Sequence, residues 1–277
     1  MQNRIFLVDA FADKPFHGNP AAVCVLREEQ STDWMQSVAA ELNASATAFV
    51  RHSDQAYELR WFTSTREIDL CGHGTLASAH VLWTEAIAPR DMPIGFRTKS
   101  GILRCRLADD LVELDFPATP PAKTEPDQRL SDALRTQPSF FGKSKFDSFL
   151  VMDSEETVRS LKPDLRALRN VPAIRGVIVT SASQNPDYDF VSRFFAPAFG
   201  IAEDPVTGSA HCCLAPYWSE RLGKTSMTAL QASKRGGMVR VRVEGDRVFL
   251  RGTAITILRG QLSAASWRGS SLRATTT

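Results

Sequence analysis

Two short stretches hold the residue types that proton chemistry would use. The first is Gly200-Ile201-Ala202-Glu203-Asp204-Pro205-Val206-Thr207-Gly208-Ser209-Ala210-His211-Cys212-Cys213. Proline suits the first turn of a helix, so Pro205 predicts a helix start there, and the small residues after it allow close packing. The free N–H groups of such a start attract anions, carboxylates included, and Asp204 stands at its mouth as a group able to take or give a proton. Taken alone, the stretch is better served by a structural reading in which Asp204 caps a helix and Gly208, Ser209 and Ala210 pack.

A second stretch shifts the balance. Asp69-Leu70-Cys71-Gly72-His73-Gly74-Thr75-Leu76-Ala77-Ser78-Ala79-His80 has the same character, a polar glycine-rich entry followed by small residues. Aromatic strand ends lead into both, and Phe62 precedes Cys71 by the same nine positions by which Phe195 precedes Asp204. Aligning the two Ala-His pairs gives a different offset, so duplication is not established by this match. Two helix starts with titratable groups, one per half, predict two similar lobes facing one cleft. Such a cleft suits proton transfer at a carbon beside a carboxylate.

The elements that must position these groups read as an α+β chain of short strands and few helices. Strands are predicted at Arg4–Asp9, Ala21–Leu26, Tyr57–Thr63, Leu111–Phe116, Phe146–Met152, Arg175–Ser181 and Asp189–Ala196, with a hairpin over Phe96–Leu107. Ser31 or Thr32 caps a helix to about Leu42, with Met35, Val38, Ala39 and Leu42 on its inner face. Alternating Val239, Val241 and Val243 form a strand that turns at Gly245-Asp246, and Ala254–Leu258 is expected to pair onto it. Four prolines in residues 117–126 mark a linker. The domains are then residues 1–117, with about 262–277 as an optional completion, and 127–261.

The whole chain excludes several classes. It has 277 residues, 43% of them hydrophobic, and a net charge of +2 with scattered Lys and Arg, so no nucleic-acid footprint is expected. No run approaches the roughly 18 apolar residues of a membrane span. Five cysteines without CxxC spacing and five histidines without HExxH spacing predict a cytoplasmic protein with no disulfide framework and no metal. His80 and His211 read as core histidines, and Trp61, Trp83 and Trp218 as core or interface. Neither GxGxxG nor GxxxxGK[ST] occurs.

Four motifs in order resemble one family. Asp9-Ala10-Phe11 with Gly18-Asn19-Pro20-Ala21-Ala22-Val23, then Asp69-Leu70-Cys71-Gly72-His73, then Glu203 to His211, then Gln231-Ala232-Ser233 with Arg235-Gly236-Gly237 are similar to the PhzF-like isomerases of phenazine biosynthesis, within the diaminopimelate-epimerase fold. The resemblance spans nearly the whole chain. It implies two pseudo-symmetric lobes, each a curled, mostly antiparallel sheet around a central helix, in a cofactor-independent enzyme that is commonly a homodimer and acts on a small carboxylated substrate. It implies active-site roles for His73 and Asp204, substrate-binding roles for Asn19, Ser45, Gly72, Gly74, Gly208 and Ser209, and core roles for Cys71 and Cys212.

One position departs from the pattern. The family carries its acid/base glutamate in Asn-x-Ser-Glu-Thr-x-Phe, whereas this chain reads Asn43-Ala44-Ser45-Ala46-Thr47-Ala48-Phe49. Losing a general acid or base typically costs about 10²–10⁴-fold in rate. Three explanations fit Ala46: a substitution that disarms the enzyme, a divergence in which Asp204 or His73 carries different chemistry such as epimerisation or elimination, or a non-catalytic carboxylate binder.

Overall fold

The helix that follows Cys71 is apolar or small on nearly every side, and such a helix must lie inside the protein rather than on it. In the computed structural model, which describes residues 3–53, 56–171 and 175–263, it does. The first half of the chain runs β1 (Arg4–Ala10), β2 (Asn19–Leu26), α1 (Thr32–Leu42), β3 (Ala46–Ser53), β4 (Ala56–Phe62), β5 (Glu67–Ile68), α2 (Gly72–Thr84), β6 (Ile94–Thr98), β7 (Gly101–Ala108) and β8 (Leu111–Pro117). The second runs β9 (Ala122–Lys123), α3 (Gln128–Leu134), β10 (Phe140–Lys143), β11 (Ser148–Val151), α4 (Glu155–Ser160), α5 (Leu165–Arg169), β12 (Val177–Ala182), β13 (Phe190–Phe195), α6 (Gly208–Leu222), β14 (Ser226–Gln231), β15 (Gly237–Glu244), β16 (Arg247–Gly252) and β17 (Ala254–Gln261).

Strand pairing establishes the internal symmetry that the short sequence match could not. In the first half β2 pairs parallel with β3 across α1, β3 antiparallel with β4, β4 parallel with β6 across α2, and β6, β7 and β8 follow antiparallel. In the second, β11 pairs parallel with β12 across α4 and α5, β12 antiparallel with β13, β13 parallel with β14 across α6, and β14, β15 and β16 follow antiparallel. The equivalent strands β8 and β16 pair with each other and join the halves. β9, just after β8, crosses to β10, and β17, just after β16, crosses to β1. The result is one curled, mostly antiparallel sheet of two lobes, with α2 packed inside the first and α6 inside the second.

Several local expectations change. β17 pairs with β1 and not with β16. The strand expected over Phe146–Met152 is confined to β11, preceded by the unforeseen β10. On α1, Trp34, Met35, Val38 and Ala39 are buried while Leu42 is 36% exposed. The optional completion of the first lobe by 262–277 falls largely outside the described residues. The proline-rich segment is pinned rather than free. Pro216, inside α6, has no N–H for the Cys212 carbonyl, and Thr119 N–H donates to that carbonyl instead at 2.9 Å.

His211 on α6 is completely buried, with Nδ1 2.8 Å from the Thr207 carbonyl and Nε2 unpartnered. Burial pushes its pKa down from 6.5 to about 4. The unfolded chain thus binds a proton below about pH 6.5 that the folded chain refuses. Stability is full above that pH and is lost progressively towards pH 4, at ~1.4 kcal/mol per pH unit. Urea unfolding at pH 7 and pH 4.5 checks this. The drop should be smaller in His211→Gln by ~2–3 kcal/mol, and equal drops would remove the assignment.

Candidate active site

The tips of α2 and α6 meet. A Cβ on Gly72 would lie 3.3 Å from Gly208 Cα, and one on Gly208 would lie 3.3 Å from Gly72 Cα, so backbone packs on backbone at the lobe junction. The start of α6 differs from the sequence expectation. Thr207, not Asp204, is the cap of α6, and Pro205 lies before the helix. Gln231 explains the shift: its amide nitrogen donates to the Asp204 carbonyl at 2.7 Å, and its Oε1 accepts from Thr207 N–H at 2.8 Å, holding Asp204–Thr207 in a turn. Cys71 caps α2, its sulfur accepting from Gly74 N–H. The equivalent pair is therefore Gly72 with Gly208, not Cys71 with Asp204. Among the described residues the N–H groups of Gly72, His73, Gly208 and Ser209 take no protein acceptor, as expected of a helix's first turn.

Asp204 and His73 come from opposite lobes and are joined by one amide. Asn19 Nδ2 donates to Asp204 Oδ1 and to the Val206 carbonyl, both at 2.8 Å, and lies 3.3 Å from His73 Nδ1. Thr207 Oγ donates to Asp204 Oδ2 at 2.6 Å. The carboxylate is thus fixed from both sides and 9% exposed. Burial lowers the pKa of His73, opposed by the Asp204 charge, so the imidazole is held towards its neutral form. Burial pushes Cys71 and Cys212 up to about 12, which keeps both as thiols.

The loop that presents Asn19 is clamped by the other half. Arg235 donates through Nη2 to Asp9 Oδ1 at 2.7 Å and through Nε to the Gly18 carbonyl at 2.8 Å, while Gly18 N–H donates to the Gly236 carbonyl at 2.7 Å. Gly18 has φ +65, and a Cβ there would come within 2.2 Å of the Ala10 carbonyl oxygen. Gly18→Ala is expected to cost ~2–4 kcal/mol, from a left-handed backbone plus overpacking. Gly245→Ala, at φ +57 with nothing within 4 Å, is expected to cost about 1 kcal/mol. Equal denaturation midpoints for the two variants would show that the contact at Gly18 carries no weight.

A cavity of about 530 Å³ opens where the helix tips meet. Ser45, Gly72, His73, Asp204, Gly208 and Ser209 all line it. So does Arg175, whose guanidinium is held by Asp147 and donates through Nη2 to Ser209 Oγ at 3.0 Å. With its oxygen already accepting, the Ser209 hydroxyl hydrogen is free to point into the cavity.

Comparison with known proteins accords with this geometry. The family model described as phenazine biosynthesis-like protein (PhzC-PhzF) matches residues 8–260. The chain belongs to the PhzF family. An uncharacterized isomerase of Halalkalibacterium halodurans is 50% identical over 264 residues, covering 95% of this chain and 99% of that protein. The human phenazine biosynthesis-like domain-containing protein is 39% identical, covering 95% of this chain and all of that one. The crystal structure of a PhzF-family protein from Enterococcus faecalis superposes with a TM-score of 0.91 at 41% identity, over 95% of this chain and all of that chain.

Two of the residues matched to the PhzF pattern stand back from the cavity wall. Asn19 is fully buried behind Asp204 and His73 and reaches the site only through them. Gly74 gives its N–H to Cys71, and a Cβ there would press on Trp61 Cδ1 at 2.9 Å. Ala46 is fully buried at the start of β3, beside Ala21 and one residue from the cavity-lining Ser45. Sequence reasoning missed Arg175, Asp147 and the bridging role of Gln231. The one available signal was an arginine set one glycine ahead of the apolar run Val177-Ile178-Val179. Among the described residues no His, Cys, Asp and Glu side chains gather as a metal set, and no helix is long and apolar enough to cross a membrane.

Proposed function

We propose that this chain is an acid/base isomerase that shifts a proton on the carbon beside the carboxylate of a small amino-acid-like or dihydro-hydroxyanthranilate-like acid, without a cofactor, its activity altered by Ala46. The observation that carries this reading is the pairing of Asp204 and His73 from opposite lobes at two joined helix tips. The unclaimed N–H groups of Gly72, His73, Gly208 and Ser209, with the Ser209 and Ser45 hydroxyls, suit a substrate carboxylate and the negative charge that develops beside it. Asp204 is the base in this scheme: it takes the proton from carbon and, now a carboxylic acid, returns it at the new position, while neutral His73 donates a hydrogen bond to the negative charge that develops between the two steps. The name of the Halalkalibacterium relative, an isomerase, supports the class. A homodimer in the cytoplasm completes the proposal, and sedimentation equilibrium at twice the chain mass checks the first part.

A second reading has its own observation. Ala46 occupies the place that the resemblance gives to the catalytic glutamate, which favours a protein that binds a carboxylate without turning it over. Deuterium uptake from D₂O into a panel of amino acids and dihydro-hydroxyanthranilate, followed by mass spectrometry, separates the two. Exchange is expected; saturable binding with no exchange of any carbon-bound hydrogen would establish the binder instead.

A further inference from the structure

Beside the main cavity lies a second one of about 340 Å³, and the two share Leu70, Gly72, Ser100, Phe146 and Ser209. They therefore meet at the proposed carboxylate donors. Their walls differ in charge. The main cavity carries Arg66, Glu67, Asp69, Arg175 and Asp204, whereas the side chamber has Lys145 as its one charged group and Thr119 as a further polar one, and is otherwise walled by Leu103, Phe116 and Pro117 together with Leu70, Phe146 and the sulfur-bearing Cys212. Phe146 forms the partition and is 40% exposed, a large apolar face left uncovered at the junction. Lys145, exposed and lining the side chamber, stands with its Nζ 5.2 Å from the Phe146 ring centre.

We propose that this side chamber is a subsite for an apolar, aryl-sized arm of the substrate. The inference rests on the carboxylate reading of the helix tips and extends it to substrate class: a carboxylic acid whose chain bears an aromatic or branched apolar group. A carboxylate on Ser209 and the Gly72 N–H sits at the junction, its neighbouring carbon turned towards Asp204 and His73. An apolar arm then enters the side chamber and covers Phe146. Such a room, concave and poor in polar groups, draws affinity from apolar area removed from water. The Lys145 ammonium in its wall disfavours a cationic arm.

Ligand-observed NMR titration of the whole chain with propionate, 3-phenylpropionate and 5-aminopentanoate tests this. 3-Phenylpropionate is expected to bind at least about tenfold more tightly than propionate, the size of effect that burying a ring brings, and 5-aminopentanoate no more tightly than propionate. Leu103→Trp and Thr119→Trp, on different elements, each fill the side chamber without lining the main cavity. Either variant should bring the ratio of the first two acids close to one while leaving propionate binding unchanged. Equal affinities in the unaltered protein, or a ratio preserved in both folded tryptophan variants, would overturn the subsite. Failure of every acid to bind would instead remove the carboxylate cradle itself, and the subsite with it.

Discussion

Ala46→Glu is expected to raise the rate of deuterium incorporation by about 10²–10⁴-fold, the usual worth of one general acid or base. The surroundings can take the side chain. Ala46 shares its face of β3 with Ala48, which lies directly across from Trp61, and Ala46 pairs with Ala21, two residues along β2 from Asn19. Trp61 Nε1 and Asn19 Oδ1 are both buried without a hydrogen-bond partner. One is a donor and the other an acceptor, and a protonated carboxyl offers one of each. Burial would hold that carboxyl well above the usual carboxylate range, as a proton donor at neutral pH. Adding atoms to a packed strand start costs ~1–3 kcal/mol, so the variant should be somewhat less stable while being faster. Unchanged exchange in a folded Ala46→Glu protein, with any acid that the protein binds, would end the view of a disarmed isomerase.

What could be read from the sequence was local. Small-residue runs after Cys71 and Thr207 announced two buried helices, because residues of that size can be surrounded by backbone. Asp204, His73 and Asn19 lay in motifs whose chemistry needs no distant partner to be noticed. The parts that failed were long-range. Arg235 and Asp9 meet across 226 positions, and nothing in either neighbourhood reports the other. The nine-residue spacing from Phe62 to Cys71 and from Phe195 to Asp204 is not the register of the two halves, whose helices begin at Gly72 and Gly208. Gln231, from a strand beyond α6, holds Asp204–Thr207 in a turn and delays the second helix. Pro205 looked like a helix start, and its own preferences allow one; a hydrogen-bonding side chain from elsewhere decided otherwise.

Asp204→Asn is expected to lower exchange by about 10²–10⁴-fold with little change in stability, and the contrast with Asp204→Ala shows why. The asparagine is nearly isosteric, keeps an oxygen for Asn19 Nδ2 at the position of Oδ1, and puts an amide where Oδ2 stood. Thr207 Oγ, now 2.6 Å from Oδ2 as a donor, can turn its hydrogen away and accept from that amide. The Thr207 hydrogen then turns into the cavity that Thr207 lines, the Asn19 amide stays paired, and what disappears is the ability to hold a proton. Alanine leaves the Asn19 amide and the Thr207 hydroxyl short of partners behind the cavity, at a cost of about 1–3 kcal/mol for each such group. If Asp204 only braces the lobe junction, exchange should follow stability: nearly normal in Asp204→Asn and poor in Asp204→Ala. If Asp204 carries the proton, both variants are silent although only one is unstable. Running the pair also in the Ala46→Glu background asks whether a carboxyl at 46 works with Asp204 or replaces it. Dependence on Asp204 in both backgrounds would place the two groups on one proton path, because a replacement would leave the double variant as fast as Ala46→Glu alone.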